Sequence, residues 1–371
     1  MSIDLGSEML RMISKANTDI CIVTGGAGFI GTAIAEGLLT RFARVIIIDL
    51  MHPQIHKTSA RPAALPARVE FIHGDVADAS IWDSLLPGAK PAIIIHLAAE
   101  TGTGQSLTES ARHSHTNVCG TAVMLDALVR HEAIPQRIVL ASSRAVYGEG
   151  AWCNKAGQIT YPGQRTREQL GRGQWDFSDA TPLPSKASVT QPAPVSVYGA
   201  TKLAQEHLLA SWAPAFGVAL TILRLQNVYG PGQSLINSYT GILSLFCRLA
   251  RDRESIPLYE DGEMLRDFVL IDDVVAAILL ASDQHTVSTL PYDIGTGKAI
   301  SIAEMAHQIA AFYDAPTPHV CGKYRYGDVR HAACTIDAIT AELGWQPRYT
   351  TEQGLAALIA WVETQLSNGK E

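Results

Sequence analysis

Short runs of apolar residues alternate with segments of helical period over the N-terminal part of the chain. Strands are predicted at residues 20–24, 44–49, 69–73, 92–97, 137–142 and 218–224. Helices are predicted between them at residues 29–40, 80–86, 117–131 and 198–213. Strands that are apolar on both faces and separated by helices are typical of a parallel sheet covered on both sides. The pattern therefore predicts an α/β fold, a Rossmann-type doubly wound parallel sheet.

The C-terminal part has a more mixed pattern, with helices predicted at residues 242–252, 272–282, 301–313 and 352–365. We predict a first domain over residues 19–228 and a smaller, mixed α/β substrate lobe over residues 229–371. The lobe is expected to return to the first domain at about residues 270–280. Residues 1–18 lack the apolar core of a secretory signal and are predicted to form an N-terminal extension.

Residues 148–194 interrupt the first domain with a stretch rich in Gly, Pro, Ser and Gln that has no clear period. Long irregular segments of this kind are either functional or disordered. Four aromatic residues give this one something to pack with: Trp152, Tyr161, Trp175 and Phe177. We predict an ordered flap near the site, with a mobile surface insertion as the alternative.

Composition narrows the class of partner. The chain of 371 residues has a formal net charge of -7, which argues against nucleic acid or an anionic membrane as the main partner. Its apolar runs are far shorter than the roughly 20 residues of a membrane-spanning helix. Six scattered cysteines without a CxxC pair suggest reduced thiols in a cytoplasmic protein and no metal site.

A glycine-rich turn follows the first predicted strand and opens the first helix. Gly25, Gly28 and Gly31 form a GxxGxxG pattern, which permits a tight turn and a close approach of the backbone to a pyrophosphate. Asp49 ends the second strand. Its carboxylate would accept hydrogen bonds from the adenosine ribose and repel a 2′-phosphate, so NAD is predicted rather than NADP. The alternative for Asp49 is a cap on the following turn.

Other residues at the carboxyl ends of the predicted strands complete the expected cofactor site. The full set of additional candidates is Phe29, Ile30, Asp75, Val76, Leu97, Ala98 and Ala99. Two neighbouring polar residues are interpreted as structural. His96 is predicted to be packed in the core, and Asn117 is predicted to be the N-cap of its helix, bonded to nearby backbone.

Tyr198 and Lys202 are four residues apart, so they share one face of a predicted helix. A free tyrosine has a pKa of about 10, too high for a base at neutral pH, and a neighbouring lysine cation lowers it. Ser143 follows the fifth predicted strand. After a dinucleotide turn, this order of residues indicates a tyrosine base with a serine beside it.

These motifs together resemble the extended short-chain dehydrogenase/reductase family, specifically its NAD-dependent sugar-nucleotide epimerases and dehydratases. The resemblance covers about residues 20–355. It includes TGGAGFIG from Thr24, HLAA from His96, SSRAVYG from Ser142, YGATK from Tyr198 and LRLQNVYGP from Leu223. Later matches are RDFV from Arg266, GDVR from Gly327 and LGW from Leu343.

The resemblance implies a role for each matching residue. Tyr198 would be the catalytic base and acid, Lys202 would hold the nicotinamide ribose and tune Tyr198, and Ser143 would bond the reacting sugar hydroxyl. The remaining substrate candidates are Glu100, Thr101, Gln105, Arg144, Asn227, Arg266 and Arg330. Among them, Asn227 resembles the diphosphate contact, while the two later arginines resemble the phosphate clamp. A salt bridge is the alternative for either arginine. A homodimer through the helices at 117–131 and 198–213 is also implied.

The two positions after Ser143 separate the reactions of this family. Dehydratases typically carry an Asp-Glu pair there, decarboxylases a glutamate at the second position, and 3,5-epimerases a cysteine. This chain has Arg144 and Ala145, which leaves the minimal apparatus of a 4-epimerase. Several segments are similar to a bacterial branch that acts on dTDP-L-rhamnose. The alternatives are a UDP-hexose or UDP-uronate 4-epimerase and a catalytically silent NAD-binding regulator.

Overall fold

The computed structural model describes residues 19–56, 58–235, 241–283 and 290–368. The predicted extension, residues 1–18, lies outside the described residues. The first half contains these elements in chain order: β1 Ile20–Thr24, α1 Phe29–Leu39, β2 Arg44–Asp49, β3 Glu70–His73, α2 Ala79–Leu85, β4 Ile93–His96, α3 Ser110–Ser114, α4 Gly120–Arg130, β5 Arg137–Ser143, β6 Trp152–Asn154, β7 Ile159–Thr160, α5 Arg167–Gly171, β8 Ala180–Pro182, α6 Val197–Ala215 and β9 Ala219–Leu225.

The second half is more finely divided. Its elements are β10 Asn227–Tyr229, α7 Ile242–Arg251, β11 Pro257–Leu258, β12 Leu265–Arg266, β13 Phe268–Leu270, α8 Ile271–Asp283, β14 Tyr292–Ile294, β15 Ile300–Ser301, α9 Ile302–Phe312, β16 His319–Val320, β17 His331–Ala332, α10 Asp337–Leu343 and α11 Thr351–Asn368.

A seven-stranded parallel sheet organises the molecule, in the order β3-β2-β1-β4-β5-β9-β14. The predicted doubly wound fold is therefore confirmed, and all six predicted strands are present with ends that agree to within one residue. The seventh strand, β14, was not predicted. Strand order reverses between β1 and β4, and a crevice outside the carboxyl ends of the strands is expected at such a point.

Apolar strands pack against helices on both faces of this sheet. Ile47 of β2 belongs to the core beneath α1 and α8, while Ile46 and Ile48 belong to the core beneath α2 and α4. Successive side chains of a strand point to opposite faces, which is why an uninterrupted isoleucine run serves both layers. Beyond residue 229, α8 and β14 contribute to the first layer, while α7, α9 and α11 surround a third core.

The segment 148–194, which was predicted to be a flap near the site, contains regular secondary structure. It forms a three-stranded antiparallel sheet, β7-β6-β8, followed by a link to α6. Trp152 is fully buried and its ring meets Phe177 edge-on, with centroids 4.9 Å apart. Arg165 is also fully buried and pairs with Glu149 and Glu260. The flap is therefore fixed by a ring contact within it and by charge pairing with the C-terminal lobe.

The helix predicted at residues 117–131 begins later than expected. α4 starts at Gly120, after a π-helical turn at His115–Cys119 that continues from α3. Because the backbone at Asn117 is already helical, this residue is not an N-cap, and that prediction is wrong. The bond to neighbouring backbone is present: the Asn117 amide accepts from the Glu100 backbone N–H at 2.7 Å.

Two further properties bear on partners. Among the helices of the described ranges, none combines the length and the apolar character that crossing a bilayer requires. The six cysteines all carry free thiols. Burial raises the pKa of the Cys247 thiol to about 12, so this group remains protonated at neutral pH.

Candidate active site

A cavity of about 940 Å³ opens at the carboxyl ends of the sheet strands and extends into the C-terminal lobe. The glycine turn after β1 lines one end, and residues of α7, α9 and α11 line the other. The end of β5 and the first turns of α6 lie between them. This position at the reversal of strand order is the usual ligand site of an open parallel sheet.

Close packing explains the glycines of the turn. Gly25 has a φ of +67°, and a Cβ there would lie 2.6 Å from the Ala98 backbone nitrogen. A Cβ on Gly31 would lie 2.4 Å from the Gly26 Cα. No side chain fits at either position, so the turn stays tight and the N-terminus of α1 faces the cavity. Free N–H groups at a helix N-terminus favour a bound phosphate.

Asp49 lies where it can both bind the adenosine ribose and cap the turn that follows its strand. Its Oδ2 accepts from the Ala27 backbone N–H at 3.0 Å, and its Oδ1 accepts from the Met51 N–H at 2.8 Å. The carboxylate thus stabilises the turn that follows β2, and it also lines the cavity. Each oxygen keeps a lone pair for a ribose hydroxyl.

The other predicted cofactor residues converge on the same end of the cavity. The described lining includes Gly28, Phe29, Ile30, Asp75, Val76, Leu97, Ala98 and Ala99. Their roles toward the cofactor stay predictions. Pairing β1 with β2 and β4 brings three separate sequence motifs into one wall.

Local packing brings Tyr198 and Ser143 together. Ser196 is the N-cap of α6, and its Oγ accepts from the Gly199 N–H at 3.0 Å. A Cβ on Gly199 would lie 2.4 Å from the Ala145 carbonyl oxygen. Glycine at this position therefore lets the first turn of α6 approach the 3₁₀ turn that follows β5. The result is that Tyr198, Lys202 and Ser143 line one part of the cavity.

Burial is the largest influence on the pKa values of Tyr198 and Lys202. Burial raises the pKa of Tyr198, while a hydrogen bond with Ser143 and the positive charge of Arg144 lower it. Burial lowers the pKa of Lys202 to about 7, and the charge of Glu206 opposes that shift. The charge of Arg144 thus favours the Tyr198 phenolate. That Lys202 also lowers the tyrosine pKa stays a prediction.

Besides Ser143, five predicted substrate residues line the cavity: Glu100, Thr101, Arg144, Asn227 and Arg266. The Arg144 Nε donates to the Asn227 amide oxygen at 2.8 Å. The NH₂ group of Asn227 is therefore on the side of the amide away from Arg144. Burial and the like charge of Arg144 lower the pKa of Arg266 to about 9. One buried cation, Arg266, and one partly buried cation, Arg144, line the same cavity, and this arrangement favours an anion between them.

Two predicted substrate residues are not among the described residues that line the cavity. Gln105 bonds instead to the Gln54 side chain at 2.9 Å and to Glu109 at 2.8 Å. Arg330 pairs with Asp176 at 2.9 Å and with Asp261 at 2.7 Å. For Arg330 the structure has the salt bridge that was the alternative, because its fork is already matched by carboxylates.

A third arginine was missed by the sequence analysis. Arg325 lines the cavity beside Asp328, and its guanidinium lies over the Tyr259 ring at 5.2 Å from the centroid. The signal was its position two residues before Gly327, just ahead of the motif that contains Arg330. Motif spacing alone does not show which of the two arginines faces the cavity.

His96 is in the core, as predicted. The ring is fully buried, with Nδ1 2.6 Å from the Thr24 hydroxyl and Nε2 2.9 Å from the Thr121 hydroxyl. It lies between the cofactor end of the sheet and the helices that cover it. A buried histidine with both nitrogens bonded has a structural environment.

The chain matches the model of the NAD dependent epimerase/dehydratase family over residues 21–295. It belongs to this family. The dTDP-L-rhamnose 4-epimerase of Burkholderia thailandensis is 56% identical over 345 residues, which are 93% of this chain and 95% of that protein. The dTDP-glucose 4,6-dehydratase of Xanthomonas campestris is 27% identical and covers 92% of this chain and 93% of its own length.

Solved structures of the family have the same fold. The UDP-glucose 4-epimerase of Thermotoga maritima with UDP-glucose superposes with a TM-score of 0.78 at 25% identity, covering 94% of this chain and 99% of its own. MoeE5 in complex with UDP-glucuronic acid and NAD has a TM-score of 0.73 at 28% identity, with coverage of 94% and 99%. The protein is therefore an NAD-dependent enzyme of the epimerase class, and the tight turn and Asp49 fit that cofactor.

Proposed function

We propose that the protein is a nucleotide-sugar 4-epimerase that converts dTDP-L-rhamnose to dTDP-6-deoxy-L-talose. The observation that carries the reaction type is Arg144-Ala145 immediately after Ser143, beside Tyr198 in the cavity. Elimination of water needs an acid and a base beyond the tyrosine, and these two positions provide neither. The substrate is supported by 56% identity over almost the full length to a dTDP-L-rhamnose 4-epimerase.

Tyr198 moves the proton in this proposal. Its phenolate takes the proton of the sugar 4-hydroxyl and returns it after the 4-ketose has turned in the cavity. Ser143, which is hydrogen-bonded to the tyrosine, holds the same sugar oxygen. General-base help of this kind contributes roughly 10²–10⁴ in rate. The remainder must come from positioning and electrostatics.

The cofactor end of the cavity supplies the rest of the apparatus. Bound NAD supplies reversible hydride acceptance from C4, with no net redox change over a turnover. Lys202 orients the nicotinamide ribose, Asp49 binds the adenosine ribose, and the turn at Gly25 and the N-terminus of α1 bind the pyrophosphate. Because the cofactor is regenerated in place, it is expected to stay bound through purification.

The C-terminal side of the cavity binds the substrate diphosphate. Arg266 is nearly fully buried, and its guanidinium is held by the Val329 carbonyl at 2.8 Å and the Arg330 carbonyl at 3.1 Å. These partners are neutral, and the charges of Asp328, Glu149 and Glu260 offset burial and the like charge of Arg144 only in part, so an anionic ligand is favoured. Arg325 is proposed as the second phosphate ligand, in the place first expected for Arg330.

A UDP-sugar 4-epimerase is the second candidate, because the Thermotoga maritima enzyme and MoeE5 carry UDP-sugars in their structures. Those proteins are 25% and 28% identical to this chain. Their likeness therefore supports a UDP-sugar substrate less strongly than the 56% identity supports dTDP-L-rhamnose. A catalytically silent regulator would have no need for Ser143, Tyr198 and Lys202 in one cavity.

The setting of the enzyme is also a proposal. We place it in the cytoplasm, in polysaccharide biosynthesis, as a homodimer through α4 and α6. Val129 of α4 and Phe216, directly after α6, are each 43% exposed, so both helices offer apolar surface at their ends. Light scattering after size-exclusion chromatography gives the mass directly, and a monomer at micromolar concentration removes this part of the proposal.

Purified protein without added cofactor tests the function. We incubate it with a panel of dTDP- and UDP-sugars and follow the sugar by proton NMR. A new C4 epimer from dTDP-L-rhamnose is the expected result. Turnover of UDP-sugars alone would transfer the proposal to the second candidate, and an unchanged panel would contradict both.

A further inference from the structure

A run of buried polar side chains lies behind the catalytic lysine and is not used by the mechanism above. The Lys202 ammonium donates to the Gln205 amide oxygen at 2.5 Å. The Gln205 amide nitrogen lies 3.1 Å from His96 Nε2 and 2.9 Å from Thr121 Oγ1. The side chains of Gln205, His96 and Thr121 are fully buried. They form a continuous hydrogen-bonded path from α6 to the sheet.

The partners determine how the Gln205 amide is oriented. An ammonium only donates, so Gln205 presents its oxygen to Lys202 and its two amide hydrogens to His96 and Thr121. The Thr121 hydroxyl donates to the backbone carbonyl four residues earlier, at 2.7 Å. His96 Nε2 lies within hydrogen-bond distance of both the Gln205 amide nitrogen and the Thr121 hydroxyl, and Nδ1 lies 2.6 Å from the Thr24 hydroxyl. The tautomer of the ring decides which of its nitrogens donates. Burial and the Lys202 charge lower the His96 pKa to about 3, in agreement with a neutral ring.

We propose that Gln205 is a positioning residue for Lys202, which holds the ammonium by its amide oxygen and anchors it through His96 to the strand before the glycine turn. The proposal rests on the proposed function, since it assigns the lysine to the same reaction. Thr24 is the last residue of β1, directly before Gly25. The path therefore connects the lysine to the element that holds the cofactor.

A neutral partner has a specific consequence for the lysine. A carboxylate in place of the Gln205 amide would form an ion pair with the ammonium and compete with the cofactor and the tyrosine for its charge. An amide oxygen replaces part of the lost hydration without neutralising that charge. The remaining N–H groups of Lys202 are left for the cavity that it lines.

Glu206, the acid whose charge raises the pKa of Lys202, is already paired with other residues. Glu206 accepts from Arg224 at 3.0 and 2.6 Å and from the Ser142 hydroxyl, so its charge is compensated by β9. The other titratable groups on elements packed around the lysine include Tyr198 on α6, His96 on β4, Asp126 and Arg130 on α4, Arg137 on β5, Arg144 and Tyr147 after β5, Arg112 and His113 on α3, and His115 and Cys119 in the π turn. His113 is bonded to backbone carbonyls, and the last two are exposed.

Two substitutions with opposite expected effects on the Lys202 pKa test the proposal. Gln205→Glu supplies a negative charge to the ammonium and is expected to raise the Lys202 pKa. Gln205→Leu removes the acceptor and is expected to lower it. A hydrogen bond to a charged group corresponds to a shift of about one pH unit or more in each direction. The lysine is measured directly, by NMR of protein labelled with ¹³C at lysine Cε and carrying its bound NAD, with the Lys202 signal assigned by its loss in Lys202→Met.

The pH profile of kcat is the second readout. Lys202 acts as a cation, so the alkaline limb should move up in Gln205→Glu and down in Gln205→Leu. Gln158→Leu, in the exposed part of the flap, is the matched control and should leave both readouts unchanged. If Gln205 merely filled space, both substitutions would lower stability, but they would not move the Lys202 titration midpoint in opposite directions. Midpoints within 0.2 units of the wild type, roughly the scale of a negligible interaction, would overturn the proposal.

A variant at the far end of the path covers the case in which Gln205→Glu does not fold. Thr121→Val leaves the contact between Gln205 and Lys202 but removes an anchor of the amide. It is expected to lower the lysine midpoint by less than Gln205→Leu does, and an increase would overturn the path. The NMR titration needs no turnover. A wild-type protein that epimerises no sugar would therefore end the proposed function and leave this inference separately measurable.

Discussion

Replacing Arg165 by methionine is expected to destabilise the protein by about 3–5 kcal/mol, the usual cost of removing one partner from a buried ion pair. The guanidinium donates to Glu149 at 3.0 Å and to Glu260 at 2.9 Å, and all three side chains are at most 1% exposed. It also donates to the backbone carbonyls of Trp175 and Asp328, at 3.1 and 3.0 Å. The variant leaves two buried carboxylates with less positive charge around them and two carbonyls without a donor.

This loss of stability corresponds to a measurable fall in Tm. With an unfolding entropy of about 2.1 cal/mol/K per residue, this loss corresponds to a fall in Tm of about 4–6 °C for a chain of this length. Arg172→Met, which removes an exposed i,i+4 pair with Glu168 on the flap helix α5, is the matched control. That pair should contribute no more than about 0.5 kcal/mol.

The pH dependence separates charge burial from lost packing. Burial raises the pKa of Glu149, and the Arg165 charge opposes that shift. Without the arginine this folded-state pKa rises further, so the variant loses stability as pH rises from the unfolded value of about 4.3. The difference in Tm between the variant and the wild type should be larger at pH 8 than at pH 5. Equal differences at both pH values, or an effect no larger than that of Arg172→Met, would refute the account of the flap.

Three further substitutions test the site itself. Tyr198→Phe should keep the fold and the bound NAD yet lower kcat by about 10²–10⁴, whereas Tyr161→Phe on the flap should not; epimerisation of Tyr198→Phe at the wild-type rate would remove the tyrosine from the mechanism. Asp49→Ser should weaken the binding of NAD by about 10-fold or more, through loss of charged hydrogen bonds, and should reduce the preference for NAD over NADP. Calorimetry on the apoenzyme measures both affinities. An unchanged ratio of the two affinities would leave Asp49 only its role in the turn. Arg325→Met should raise KM for the sugar nucleotide with Tm unchanged, whereas Arg330→Met should lower Tm; the reverse pattern would return the phosphate contact to Arg330.

Strong local signals made most of the fold predictable. Strands such as β1 and β2 are continuous apolar runs that end in a glycine turn or an aspartate, so their limits agree with the prediction to the residue. β14, Tyr292–Ile294, is only three residues long and carries a buried Asp293. Its place in the sheet comes from pairing with β9, a long-range contact that no local pattern contains.

The site was predictable where a residue type is tied to a spacing. Tyr198 and Lys202 share a helix face whatever surrounds them, and the glycines exclude any other residue by contact. Arg330 could not be assigned in this way, because its partners Asp176 and Asp261 are about 150 and 70 positions away in sequence. Only the folded structure shows that Arg330 is already paired and that Arg325 lines the cavity.

The path behind Lys202 illustrates the same limit. Gln205 and His96 are ordinary residues in their own segments, and each has a structural interpretation when taken alone. Their meeting depends on packing α6 against the end of β4, where 109 positions of sequence separate the two side chains. Chemistry that arises from a contact between distant segments is visible only after folding.

Transfer of label from C4 tests the central claim most directly. dTDP-L-rhamnose carrying deuterium at C4 is incubated with the protein as purified, in ordinary water and without added cofactor, and the epimer is analysed by NMR and mass spectrometry. The account predicts that the new C4 epimer retains the deuterium, because the same hydride leaves and returns within one cavity. An epimer that has lost the label to solvent, or an oxidised sugar released in its place, would contradict epimerisation through Tyr198 and bound NAD.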